Sequence, residues 1–176
     1  MRTRNMIIAA LCVALSYVGS NVKILGTIAF DSLPAFLSSL LLGPIYGAAI
    51  GFLGHLFTAL TSGFPLSLPI HFVIAISMAV TMAGFGVTHR ALKNKAPAAV
   101  LFAVTGAVGI ILNGPVSAAF AYAALALTAG RGAAAAIAAM LPALMAASAV
   151  NVVIAIALFK ALEKVWGKSY AGVDKA

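Results

Sequence analysis

Apolar runs follow one another along almost the whole chain, and the charged residues sit in short clusters between them and towards the two ends. Of 176 residues, 64% are hydrophobic and only 8% are charged, against about 45–50% and about 25% in soluble domains. The mean hydropathy is +1.14. So little charge cannot clothe that much apolar side chain in water, so the solvent of this chain is lipid. A soluble globular enzyme, a disordered protein and a nucleic-acid-binding module are excluded. The net charge of +8 would otherwise raise nucleic acid as a partner. Clustered in the gaps, the charges fit a bilayer instead, and no nucleic-acid partner is expected.

A spanning helix needs about 20 mostly apolar residues to cross a hydrocarbon core of roughly 30 Å. The pattern predicts an all-α integral membrane protein, a six-transmembrane-helix bundle forming one domain over 1–176. The helices are expected at about 5–20, 32–42, 45–61, 70–88, 97–128 and 134–165, with a polar cytoplasmic tail over 166–176. The second is short for a span. The fifth is long for one, and Asn113-Gly114-Pro115 near its middle predicts a kink. His89-Arg-Ala-Leu-Lys-Asn-Lys95 reads as a dense cytoplasmic charge run, and Gly130-Arg131-Gly132 as a turn.

Basic residues set the orientation. With both termini inside, Arg2, Arg4, Arg90, Lys93, Lys95, Lys160, Lys164, Lys168 and Lys175 are cytoplasmic, and only Lys23 and Arg131 lie outside. Splitting the fifth segment into two spans would spoil this asymmetry. The basic start at Arg2 and Arg4, ahead of the apolar stretch Met6–Val18, has the look of a signal peptide. Because the residues that follow are themselves membrane-like, it is read as the first helix. The single cysteine, Cys12, sits in that apolar run and is read as a packing residue.

Lipid tails do not drive apolar helices together, so small residues at four-residue spacing mark close helix contacts. Such stripes occur at Ala10 and Ala14, at Gly43, Gly47 and Gly51, and at Ala135, Ala139, Ala143 and Ala147, continuing through Asn151 and Ala155. Internal packing is the expectation for the last two.

In the stretch from Phe30 to Gly54, a short helix ends in Leu42-Gly43-Pro44, and a glycine-striped helix then carries Gly51-Phe52-Leu53-Gly54. This resembles the substrate-binding (S) components of energy-coupling factor (ECF) vitamin transporters. The motif match covers roughly residues 5–65, and the layout agrees over nearly the whole chain. The resemblance implies a subunit in the cell membrane that captures a vitamin or vitamin precursor outside. It also implies a transmembrane coupling subunit and two cytoplasmic ATPases as partners. Ala10 and Ala14 match the Ala-x-x-x-Ala pattern by which family members meet the coupling subunit. Loops closing over the substrate would be 21–31, 62–69 and 128–133.

The chain shows no ATP site of its own. Gly167-Lys168-Ser169 resembles the end of a phosphate-binding loop, but Leu162 stands where that loop requires glycine. The family branch that captures cobalt or nickel starts Met-His, whereas this chain starts Met1-Arg2. His55 and His71 lie on different helices without carboxylate or cysteine company, so no metal site and no cofactor are expected.

Polar groups inside membrane helices are costly and usually pair internally or line a pocket. His71, near the start of the fourth helix, is a candidate substrate contact or an anchor to a loop carbonyl. Asn113 lies at the expected kink, where freed carbonyls can face a pocket. Asn151 either contacts substrate or bonds a neighbouring helix, and His55 is a further candidate. Phe64, Phe30 and Tyr122 can stack on a flat ring or belong to an interfacial aromatic belt. Asp31 can receive a substrate hydroxyl or amine, or cap the second helix.

These contacts suit a mostly neutral, partly aromatic ligand. The segment Thr58–Leu66 with His71 resembles S components that salvage cobamide precursors such as α-ribazole, a benzimidazole nucleoside. Pantothenate, riboflavin and queuosine precursors compete. A membrane enzyme would need convergent acids, bases or a metal, yet the acids are only Asp31, Glu163 and Asp174. A pore would need a polar face repeated along a helix, and none is visible.

Overall fold

The computed structural model describes residues 2–24 and 28–166. The helix α1 covers Arg2–Gly19, and the two-residue strands β1 (Lys23–Ile24) and β2 (Ile28–Ala29) follow. These pair antiparallel, with Lys23 opposite Ala29 and Ile24 opposite Ile28. Next come α2 (Ser32–Leu41), α3 (Pro44–Thr61) and α4 (Leu68–Leu92). A π turn at Leu112–Val116 joins α5 (Ala98–Ile111) to α6 (Ser117–Ala129), and α7 (Arg131–Trp166) completes the described fold. The tail over 167–176, with its Gly167-Lys168-Ser169, lies outside the described residues.

Among the described residues four helical runs are long and apolar enough to cross a membrane: Pro44–Thr61, Leu68–Leu92, Ala98–Ala129 and Ala134–Lys164. Thr3–Gly19 and Ser32–Leu41 are apolar but shorter. The shortness of α2 has a physical basis. It packs against α1, α3, α4 and α7, and nine of its ten residues are buried. A helix enclosed by protein has no need to match the bilayer.

The chain turns sharply from α2 into α3 at Gly43, whose φ of 104° disfavours any side chain. Pro44 then opens α3 where a missing N–H costs nothing. At Gly47 a β-carbon would fall on the Ser39 hydroxyl. That hydroxyl donates to the carbonyls of Ala35 and Met82, each at 3.1 Å. Glycine at this position lets α3 lie against α2 while Ser39 holds α2 to α4.

Two apolar clusters follow from this packing. One gathers Cys12, Phe36, Met82, Phe85, Val152 and Phe159, with the Phe36 and Phe85 rings edge to face at 4.8 Å. The other gathers Ile70, Ala118, Ala121, Leu125, Ala134 and Ile137. Elsewhere large apolar side chains face outward, among them Met6, Ile7, Leu11, Leu15 and Val18 on α1. Ala10 and Ala14 are exposed along the same helix, whereas Cys12 is buried.

Two expectations are revised. Helix α4 does not end at 88 but continues through His89 and Arg90 to Leu92, because no proline or glycine lies between Thr88 and Leu92 and basic groups suit a helix C-terminus. His89, within this extension, is buried. It is 3% exposed, with its ring 5.8 Å from Phe102 and 5.4 Å from Phe159. The turn expected over 130–132 shrinks to Gly130, with φ 84°, and Arg131 already begins α7.

Candidate substrate site

The approach to α2, the body of α3, the start of α4, the π turn and the middle of α7 surround two adjoining compartments. Each has a volume of about 70 Å³, room for several water molecules. His55, Ile74, Asn113, Ser117 and Leu144 line both. The first is otherwise apolar, closed by Leu66, Ala118, Ala121, Ile137 and Met140. The second is polar, reaching Asp31, Ser32, Ser148 and Asn151.

Each polar group arrives there for a local reason. A proline within a helix removes one backbone donor, and a π turn is a way to absorb the missing bond. Pro115 lies inside the π turn. Asn113 stands on that turn and donates from Nδ2 to the Ser148 hydroxyl on α7 at 2.8 Å. One helical turn further along α7, Asn151 donates to the Ser32 hydroxyl at 2.8 Å and to the Ala29 carbonyl at 3.5 Å. A carbonyl only accepts, which orients the amide. The Asn151 Oδ1 atom then has no partner among the described residues, in a residue 1% exposed.

Asp31 precedes α2 but makes no side-chain cap bond. Its Oδ2 instead accepts from the Thr58 hydroxyl at 2.7 Å, so the expected cap is replaced by a tie to α3. Burial pushes the Asp31 carboxyl up to about 6, partly opposed by the Thr58 hydroxyl and by backbone N–H donors of Ser32 and Asp31.

His55 on α3 and His71 on α4 are brought together. His55 Nε2 lies 3.2 Å from His71 Nδ1, and the rings stack at 5.4 Å. The Leu66 amide donates to His71 Nε2 at 3.4 Å. In the neutral pair this leaves the His71 proton on Nδ1, donated to His55. His71 is fully buried and links the turn before α4 to His55, which lines both compartments. Phe64 packs on the His71 ring at 5.9 Å and lines an apolar groove with Leu53, Leu60 and Phe72 outside the two compartments. Tyr122 is 38% exposed and lines neither compartment. Phe30 is half-buried near Gly19, whose carbonyl accepts its N–H.

Sequence reasoning passed over Ser32, Ser117, Ser148 and Thr58. A weak signal existed: Ser148 and Asn151, and Asn113 and Ser117, are spaced to share helix faces. Among the described residues no three His, Cys, Asp or Glu gather to hold a metal.

Apolar helices packed around a cavity of mixed polarity define a membrane-embedded receptor for a small organic molecule. The family described as ECF transporter, substrate-specific component, has a model that matches residues 4–163, and the chain belongs to that family. It is thus a substrate-binding subunit of a vitamin or micronutrient transporter and not an enzyme. The fold is similar to a solved structure reported under the words "Structure and mechanism of the S component of a bacterial ECF transporter". The TM-score is 0.65 at 18% identity, over 94% of this chain and 99% of that one. No curated protein matches the chain.

Proposed function

We propose that this chain captures a vitamin precursor at the outer face of the cell membrane and delivers it together with a transmembrane coupling subunit and two cytoplasmic ATPases. The substrate proposed is α-ribazole or a related cobamide precursor. The observation that carries the reading is the joined pair of compartments, one apolar and one lined by Asp31, Ser32, Asn113 and Asn151. The apolar compartment suits a flat ring and the polar one suits a sugar. Asp31, His55, His71, Asn113 and Asn151 are the contacts proposed, with Phe64 acting through His71. Tyr122 is kept as a contact only for a ligand that reaches past Ala121.

The proposed topology is one membrane domain with six crossings and both termini cytoplasmic. The fifth crossing runs through the π turn as one bent span. The basic-residue asymmetry supports this, and so does the run of helix from Ala98 to Ala129. The proposed coupling surface is the exposed side of α1 around Ala10 and Ala14.

Mass spectrometry of small molecules retained after gentle purification tests the substrate. A benzimidazole riboside is the expected finding, and a different vitamin in the cavity overturns that choice. Co-purification tests the assembly, since the coupling subunit and ATPases should accompany this chain. Reporter tags placing the two termini on opposite faces would overturn the topology.

A further inference from the structure

We infer that the cavity takes a ligand without negative charge and binds its hydrogen-bond-donating end, hydroxyl or amine, at Asn151. This rests on the compartments being the substrate seat. Three observations carry it. First, among the described residues no lysine or arginine lines either compartment. Second, the charged side chain that does line the polar one is an acid, Asp31. Third, the buried Asn151 Oδ1 is an acceptor with no partner among the described residues, and the Ala29 carbonyl, which only accepts, lies 3.5 Å from the amide nitrogen.

No protein donor among the described residues reaches this buried acceptor, so a ligand donor placed there gains more than it would from a solvated partner. A ligand carboxylate or phosphate would meet the opposite conditions. It would lose its water in a low-dielectric site, find no cation, and face the Asp31 side chain. The basic residues Lys23 and Arg131 stand on β1 and at the start of α7, and neither lines the compartments. They can attract an anion to the protein without neutralising it inside. The apolar compartment under Leu66 and Ile137 receives the rest of the molecule.

The test is binding by the purified full chain to matched pairs that differ only in charge, measured by calorimetry. The pairs are a benzimidazole riboside with its 5′-phosphate, riboflavin with its 5′-phosphate, and pantothenol with pantothenate. In whichever pair binds, the neutral member should bind tighter by roughly a hundredfold or more. An anionic member that binds equally well or better overturns the inference. Binding of pantothenol over pantothenate, with neither riboside bound, would sustain the charge rule while removing the cobamide reading. Silence from every pair, in protein that unfolds cooperatively, overturns the seat and the inference together. Asn151→Leu should weaken the bound neutral probe by about tenfold or more, and an unchanged affinity assigns the donor elsewhere and overturns Asn151's part. Should that variant fail to fold, an analogue of the bound probe lacking one hydroxyl, tried on the unaltered chain, decides the same point. A loss of about tenfold for at least one such analogue is expected, and no loss for any overturns it.

Discussion

The Thr58 hydroxyl donates to Asp31 Oδ2 over 2.7 Å, binding the last turn of α3 to the residue before α2. The bond sits beside the cavity, on an acid whose burial raises it from 3.8 to about 6. The folded chain therefore holds the Asp31 proton more tightly than the unfolded chain does. Its contribution to stability is full below 3.8 and is lost as pH rises through about 6. Thermal unfolding should show the unaltered chain losing ground to Asp31→Asn across that window, by about 3 kcal/mol. A difference that does not vary with pH would show that Asp31 keeps its ordinary value. Thr58→Val should push the window higher, because the hydroxyl holds the carboxyl down.

His71→Ala removes both the partner of His55 and the acceptor of the Leu66 N–H. The turn before α4 then loses its tie to the cavity wall. Ligand affinity of the isolated subunit should fall about tenfold or more. Unchanged affinity in calorimetry would take His71 out of the site.

Gly47→Ala places a methyl on the Ser39 hydroxyl and within 3.0 Å of the Ser39 α-carbon. Ser39 must then give up its bond to the Met82 carbonyl. The expected loss is about 1–3 kcal/mol, read as a lower unfolding temperature in detergent. A wild-type temperature would show that α2 can withdraw without cost.

Ala10 and Ala14 are exposed on α1. Replacing both with bulky residues should abolish uptake in cells while the purified subunit binds its ligand as before. Binding lost along with uptake would put these positions in the fold or the seat instead of at a partner.

The membrane class was legible from hydropathy alone, since an uninterrupted apolar run has no other stable home. The stripe on the last helix shows where that reasoning stops. Four residues advance a helix by a turn and about 40° more. A strict four-residue row therefore winds around the helix, and Ala135 and Ala139 are exposed while Ala147, Asn151 and Ala155 are buried. His89 shows the same limit, because a charged neighbourhood in sequence says nothing about Phe102 and Phe159 lying across the bundle.

Composition by itself determined the solvent of this protein, and spacing its helices, because both depend on residues near one another in the chain. Only the packed bundle decided that His55 meets His71, that Asp31 bonds Thr58 instead of capping α2, and that Asn151 keeps an open acceptor beside Ser32. Those pairings join residues from 16 to 119 positions apart. They exist because interhelical packing sets distances that no local propensity encodes.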